Sequence, residues 1–191
     1  MKALVAAVIV AGFMQGAATT RTSFAEPADS GAFAYSFEAI EGGKLPLSRF
    51  RGKVLLVVNT ASFCGFTPQY AGLQALWQSY EPKGLIVIGV PSNDFGSQEP
   101  KAESEILSFC QGAFNVTFPL TGKQAVLGEA AHPFYKWARQ ALGDGRAPKW
   151  NFHKYLVGRD GKLIAGFGAS IEPLSTPLVD AIERALAAPA G

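Results

Sequence analysis

Two uninterrupted apolar segments constrain the fold of this chain more than any other feature. Val54–Asn59 has the sequence VLLVVN and Leu85–Val90 the sequence LIVIGV, so both consist mainly of β-branched and aliphatic residues. Runs of this length without polar alternation are typical of strands buried on both faces of a sheet. Between them, apolar residues recur at helical spacing after Thr67-Pro68, a hydroxyl cap followed by a proline at the expected first helical position. The pattern predicts a central sheet covered by helices.

The remaining segments extend this pattern to a complete α/β domain. Turn residues at 41–43 and 158–161 each separate two short apolar segments, which predicts a hairpin at each place. The further predicted elements are strands at 35–40, 45–47, 115–120, 150–157 and 162–167 and helices at 103–111 (ending near Gly112), 132–142 and 174–187. We therefore predict an α/β fold in which a central mixed β-sheet carries helices on both faces and is preceded by an N-terminal β-hairpin. A single domain should span residues 34–191, after a flexible lead-in at 26–33.

The first 25 residues have the features of a secretory signal. Lys2 is followed by the apolar run Ala3–Phe13, and Ser23-Phe24-Ala25 places small residues where a signal peptidase cleaves. A membrane anchor is the alternative, but the run is well short of the roughly 20 residues that a span needs. We therefore predict that residues 1–25 are a cleaved signal peptide, that the protein is secreted across the inner membrane into the periplasm, and that it has no stable membrane span.

Charge and metal-ligand content exclude several function classes. The net charge is +2, and because residues 1–25 contain two basic and no acidic residues, the body behind them is neutral. A domain without net charge has no excess of positive charge with which to bind a phosphate backbone, so nucleic acid is not expected as a partner. The two cysteines lack zinc-ligand spacing, and neither His132 nor His153 has a cysteine or acidic cluster nearby. We predict neither a metal nor a cofactor.

Cys64 is the candidate reactive residue. It lies in the segment that joins the first buried strand to the following helix, and such connections at the carboxyl edge of a sheet are common sites in α/β folds. The N-terminus of a helix favours an anion, so a thiol held there should ionise more readily and become a better nucleophile. The alternative is a small buried apolar side chain. From its location alone, both interpretations stay open.

Three separate motifs give the chain a family resemblance. NTASFCGFTPQY at 59–70, VPSNDFGSQEP at 90–100 and WNFHKYLVGRDG at 150–161 occur in the order and at the spacing found in the glutathione peroxidase family, which the chain resembles over residues 34–187. The resemblance implies a thioredoxin-like fold and a peroxidatic Cys64 with Gln98, Trp150 and Asn151 as partners. These partners suit the chemistry, since amide and indole N–H groups can donate hydrogen bonds to a thiolate or to a peroxide oxygen.

Cys110 resembles the resolving cysteine of those family members that recycle through an internal disulfide. The resemblance implies that Cys64 becomes a sulfenic acid, that Cys110 captures it as a disulfide, and that a thioredoxin-type dithiol protein or glutathione then reduces the disulfide. The alternative is a core cysteine, since Ile106, Phe109 and Cys110 share one helical face. Ser92 stands where many relatives have another cysteine. The stretch from Leu142 to Lys149 lacks the long insertion through which relatives form tetramers, so we expect a monomer with an open site.

The predicted function is the reduction of hydrogen peroxide and of organic or lipid hydroperoxides to water and alcohols. Another thioredoxin-fold thiol-disulfide oxidoreductase is an alternative, but it needs a C-x-x-C pair, and Cys64-Gly65-Phe66-Thr67 lacks the second sulfur. A copper-binding redox chaperone would need closely spaced cysteines and a histidine ligand. A module that kept the fold and lost its activity is disfavoured by the intact set of motif residues.

Overall fold

A computed structural model describes Met1 and residues 31–189, and in it the two apolar segments are adjacent strands. The strands are β1 (Ser36–Glu38), β2 (Lys44–Pro46), β3 (Val54–Thr60), β4 (Leu85–Pro91), β5 (Lys154–Val157) and β6 (Leu163–Phe167), and the α-helices are α1 (Gln69–Tyr80), α2 (Glu103–Phe114), α3 (Pro133–Leu142) and α4 (Thr176–Ala187). The main sheet has the strand order β4-β3-β5-β6, with β3 parallel to β4 and antiparallel to β5. The predicted mixed sheet is confirmed.

Alternate residues of the central strand enter two different cores, which is why its sequence is apolar throughout. Val54, Leu56 and Val58 pack on one face, in a cluster to which α1, α2 and α4 contribute. Leu55 and Val57 pack on the other face against α3 and the β1–β2 hairpin. Helices therefore cover both faces, as predicted. No helix among the described residues combines the length and apolar character that a membrane span requires.

The structure has ordered, packed residues ahead of the first hairpin. The hairpin of β1 and β2 is confirmed, but a 3-10 turn at Gly31–Ala34 precedes it and buries Ala32 and Phe33. Gly31 has φ +60°, and a Cβ there would lie 2.3 Å from the carbonyl oxygen of Gly161, so only glycine fits this contact. Residues 31–33, which the sequence analysis assigned to the lead-in, are therefore packed against the domain. The predicted signal peptide at 1–25 and the rest of the lead-in lie outside the described residues, Met1 apart.

Three predicted elements, two helix or strand boundaries and one short strand, differ from the structure for identifiable reasons. Helix α2 continues past Gly112 to Phe114 and ends at Asn115, which has φ +52°. Residues 115–120 make one isolated bridge, between Leu120 and Gly89, because Pro119 interrupts the run without an N–H to donate. Strand β5 begins at Lys154 instead of Trp150, since Phe152 adopts a left-handed φ of +62°. The last difference places the Trp150-Asn151 pair in a turn beside the end of β3.

Candidate active site

The loop that carries Cys64 is held by a threonine hydroxyl. Thr67 Oγ1 accepts a hydrogen bond from the Cys64 backbone N–H (3.0 Å) and donates one to the carbonyl of Ala61 (2.9 Å). The Thr67 N–H in turn donates to the Cys64 carbonyl at 2.9 Å. Thr67 is therefore a clamp on the loop rather than the predicted helix cap, and α1 begins two residues later, at Gln69. The clamp fixes the backbone on both sides of the thiol.

Cys64 is buried but keeps a small exposed area. The residue is 7% exposed, and the backbone N–H of Phe66 donates to Sγ at 3.4 Å. A backbone donor at this sulfur lies where negative charge resides when the thiol is ionised. The position at the end of β3, ahead of α1, matches the prediction from the sequence.

Gln98 and Asn151 lie together beside this loop, although 53 positions separate them in the chain. Asn151 is fully buried, and its Nδ2 donates to Gln98 Oε1 at 2.9 Å. The backbone carbonyl of Gln98 accepts a hydrogen bond from the backbone N–H of Phe63, the neighbour of Cys64, at 3.0 Å. Because the side-chain oxygen of Gln98 already accepts from Asn151, the side-chain NH₂ group of Gln98 is oriented to donate to another partner. The two predicted partners thus form one connected unit with the Cys64 loop.

Trp150 is tied to the same place through the last residues of β3. Asn59 Nδ2 donates to the Trp150 carbonyl at 3.1 Å, and the Asn59 carbonyl accepts from the N–H of Phe152 at 2.6 Å. The indole is 39% exposed and packs against the ring of Phe95 at 5.9 Å between centroids. Its N–H therefore lies on a rigid apolar body at the protein surface. All four predicted site residues belong to segments that are hydrogen-bonded around one strand end.

Cys110 lies fully buried in α2, in the same hydrophobic cluster as Cys64. Burial raises the pKa of its thiol to about 11, and both cysteines are free thiols. The hydroxyl of Tyr70 lies near the Cys110 thiol and near Thr60, outside hydrogen-bonding geometry with the described residues. Shared burial is compatible with both the resolving role and the packing role that the sequence left open.

Neither histidine is part of the site. His132 is the N-cap of α3, where its Nδ1 accepts from the N–H of Phe134 at 3.2 Å and its ring stacks on Phe37. His153 is buried, and burial lowers its pKa to about 4. Within Met1 and residues 31–189, no group of three or more His, Cys, Asp and Glu side chains is arranged to hold a metal ion.

Two buried charged residues near the site were missed by the sequence reasoning. Lys154 Nζ donates to Gln69 Oε1 (2.7 Å) and to the Phe152 carbonyl (2.8 Å), and burial lowers its pKa to about 8. Glu99 follows Gln98 directly and is fully buried, and its burial raises the pKa of the carboxyl group. A signal existed for Lys154, which is the single charged residue in the buried strand KYLV. Glu99 gave none beyond its place in the second motif.

The fold and the site together define a class of protein, the thioredoxin-like thiol redox enzymes. A thioredoxin-family thiol:disulfide interchange protein from Chlorobium tepidum has the same fold, with a TM-score of 0.61 over 85% of this chain and 99% of that chain at 14% identity. A crystal structure of Trgpx in apo form has a TM-score of 0.68 at 39% identity, covering 85% of this chain and 99% of that chain. The predicted thioredoxin-like fold is thereby confirmed.

Sequence comparison identifies the particular family. The family model described as glutathione peroxidase matches residues 32–139. A hydroperoxy fatty acid reductase of Synechocystis is 46% identical over 149 residues, which are 74% of this chain and 88% of the relative. A glutathione peroxidase-like peroxiredoxin of Schizosaccharomyces pombe is 47% identical over 136 residues, 70% of this chain and 85% of the relative. The chain belongs to the glutathione peroxidase family, and it is a thiol peroxidase.

Proposed function

We propose that the enzyme reduces hydrogen peroxide and organic hydroperoxides, including those of lipids, through a sulfenic acid on Cys64. The thiolate attacks one peroxide oxygen, so that an S–O bond forms while the O–O bond breaks, and the departing oxygen takes up a proton to become water or an alcohol. The amide of Gln98 and the indole N–H of Trp150 are the donors for the charge that develops on that oxygen. The single observation that carries the assignment is the Asn151–Gln98 hydrogen bond beside the Cys64 loop.

Turnover then requires a reductant, and we assign the next step to Cys110. Its thiol attacks the sulfenic sulfur, a disulfide forms and water leaves, and a thioredoxin-type dithiol protein restores both thiols by exchange. The name peroxiredoxin that the fission yeast relative carries supports this pairing, and the common hydrophobic cluster of the two cysteines is compatible with it. Because Cys110 is buried within α2, the helix must open locally for the disulfide to form. Glutathione is the alternative reductant.

The experiment compares thioredoxin and glutathione as reductants for wild type and Cys110→Ser. We expect thioredoxin-dependent turnover in the wild type and a decrease of about tenfold or more in Cys110→Ser, because the sulfenic acid then lacks its internal thiol partner. After one equivalent of peroxide, mass spectrometry should find a disulfide between residues 64 and 110 in the wild type. A stable sulfenic acid without that disulfide, or unchanged turnover in Cys110→Ser, would refute the resolving role. Thermal unfolding of both proteins controls for damage to the core.

We also propose that the enzyme works as an exported monomer in the periplasm. The basic start, short apolar run and small-residue site of residues 1–25 support export, and the short connection between α3 and β5 supports the monomer. The test expresses the full chain in a Gram-negative host and measures the recovered protein by mass spectrometry and light scattering. We expect a periplasmic monomer that has lost residues 1–25. A full-length chain retained in the cytoplasm contradicts export, and an oligomeric mass contradicts the monomer.

A further inference from the structure

Lys154 is a buried cation whose hydrogen bonds go to neutral oxygens. The residue is 0% exposed, and its Nζ donates to the Phe152 carbonyl at 2.8 Å and to Gln69 Oε1 at 2.7 Å. Neither acceptor carries a charge, although buried charges in proteins are ordinarily paired with an opposite charge. The cost of this burial lowers the pKa of the amine to about 8. Stability alone therefore does not explain a cation in this position.

The first acceptor belongs to a residue with an unfavourable backbone conformation. Phe152 has φ +62°, a left-handed value that is rare for a bulky side chain because Cβ then approaches the following carbonyl oxygen. Its N–H donates to the Asn59 carbonyl at 2.6 Å, and its own carbonyl accepts from Lys154. The strained residue is thus held by a hydrogen bond on each side. Such strain persists where the surrounding contacts enforce it, and it is concentrated at functional sites.

The second acceptor is held in place by two further hydrogen bonds. Gln69 begins α1, five residues after Cys64, and its Nε2 donates to the Ala169 carbonyl at 2.7 Å and to Oε1 of Glu172 at 3.2 Å. Because the side-chain NH₂ group is used in these bonds, the side-chain oxygen faces Lys154 as an acceptor. Lys154 therefore joins the turn before β5 to the helix that follows the peroxidatic loop.

The turn that Lys154 holds carries two of the proposed site residues. Trp150 and Asn151 directly precede Phe152, so the backbone conformation of Phe152 fixes their orientation relative to β5. Asn151 Nδ2 donates to Gln98 Oε1 at 2.9 Å, and this bond orients the NH₂ group of Gln98 toward another partner. A relaxation of the turn would break this arrangement. Misplacement of a reacting group by about 1 Å is enough to slow a reaction about 100-fold.

We propose that Lys154 is a positioning residue for peroxide reduction. Its ammonium group holds the Phe152 carbonyl in the strained turn and so keeps Trp150 and Asn151 in place at the active site. Lys154 takes no part in the bond changes and gives no proton to the peroxide. Its effect is on the departing oxygen, through the hydrogen-bond donors that the turn positions. This inference rests on the catalytic roles proposed above for those donors.

The test compares Lys154→Met with Gln69→Met, because each removes one end of the same hydrogen bond and only Lys154→Met also removes the bond to Phe152. All proteins carry Cys110→Ser, so that the sulfenic acid accumulates, and rapid quenching with dimedone followed by mass spectrometry gives its rate of formation. We expect this rate to fall about 10- to 100-fold in Lys154→Met and to stay within about threefold in Gln69→Met. An equally large decrease in Gln69→Met would overturn the proposal, even if Lys154→Met failed to fold.

A second reaction of the same thiol distinguishes positioning from general damage. Iodoacetamide alkylates the Cys64 thiolate without a departing peroxide oxygen, so we expect its rate in Lys154→Met to stay within about threefold of wild type. Equal slowing of alkylation and peroxide reduction would overturn the proposal. Val157→Ala is the control for lowered stability, because it creates a cavity in the core on the same strand and leaves the bonds of the turn in place. Its peroxide rate should match wild type, and a decrease like that of Lys154→Met would assign the effect to lost stability.

Trp150→Phe and Gln98→Ala separate a failure of this inference from a failure of the proposed donor roles. Both substitutions remove a donor directly, so both should slow sulfenic acid formation at least as much as Lys154→Met. Wild-type rates in Trp150→Phe and Gln98→Ala would refute the donor roles, and the positioning role with them. A wild-type rate in Lys154→Met, with slow reaction in the two donor variants, would overturn the positioning role alone.

Discussion

Replacement of Cys64 by serine is expected to abolish peroxide reduction, to below about one thousandth of the wild-type rate. The loop holds the sulfur within a set of fixed hydrogen bonds, with the Phe66 N–H at Sγ and the Thr67 hydroxyl on the backbone of Cys64. A serine hydroxyl fills the same space but does not ionise near neutral pH, and its oxygen cannot be oxidised by a peroxide. We therefore expect this variant to keep the hydrogen-bonded structure of the loop and to lose the reactive thiol.

Cys110→Ser is the matched control for this experiment, because it makes the same atomic exchange at the second cysteine. Without any reductant, Cys110→Ser should consume one equivalent of peroxide and become a sulfenic acid, and Cys64→Ser should consume none. The measurement is peroxide loss per mole of enzyme, followed by mass spectrometry of the oxidised protein. Residual stoichiometric reduction by Cys64→Ser, or none by Cys110→Ser, would show that Cys64 is not the peroxidatic residue.

Segments with a strong one-dimensional pattern were predictable, and segments whose shape depends on distant partners were not. Strands β3 and β4 followed from composition alone, because a strand buried on both faces admits few polar residues. The continuation of α2 beyond Gly112 did not, since a glycine within a helix is tolerated when packing compensates. The turn at Trp150-Asn151 depends on Asn59, which lies 91 positions away and bonds the Trp150 carbonyl. No local pattern encodes such a contact.

The candidate site likewise has residues that the sequence motifs predicted and residues that they did not. The motifs marked Cys64, Gln98, Trp150 and Asn151, and the structure brings their segments together at one strand end. Glu99 and Lys154 were not predicted to be buried, because charged residues in a sequence are ordinarily exposed. Their burial arises only when the Cys64 loop, α1 and the turn before β5 close around them. The buried charges are therefore properties of the assembled fold and not of any one segment.

Lys154 leads to a second large effect, a contribution to stability that rises at alkaline pH. Its ammonium group is fully buried against Gln69 and the Phe152 carbonyl, and burial lowers its pKa from 10.5 to about 8. Above pH 8 the folded protein releases this proton, while the unfolded chain retains it up to about 10.4. For this group the unfolded state then binds more protons, so the contribution of Lys154 to stability rises with pH between about 8 and 10.5. The lysine contributes about 2 to 3 kcal/mol to this rise. The raised pKa of Cys110 contributes in the opposite direction, and it does so equally in wild type and in a Lys154 variant.

Lys154→Met should remove this pH dependence, because methionine keeps much of the side-chain volume and cannot titrate. Urea unfolding at pH 7 and pH 10 gives the free energy of unfolding for each protein. The wild type should gain about 2 to 3 kcal/mol relative to Lys154→Met between these two values, whereas Lys136→Met, at an exposed position of α3, should follow the wild type. At pH 7 the variant also leaves Gln69 Oε1 and the Phe152 carbonyl without their donor, which costs about 1 to 3 kcal/mol for each group and opposes the relief of a buried charge. The decisive quantity is therefore the change in the free energy of unfolding between pH 7 and pH 10, because any contribution that does not vary with pH cancels in it. Parallel pH curves for wild type and Lys154→Met would contradict the assignment of this change to Lys154.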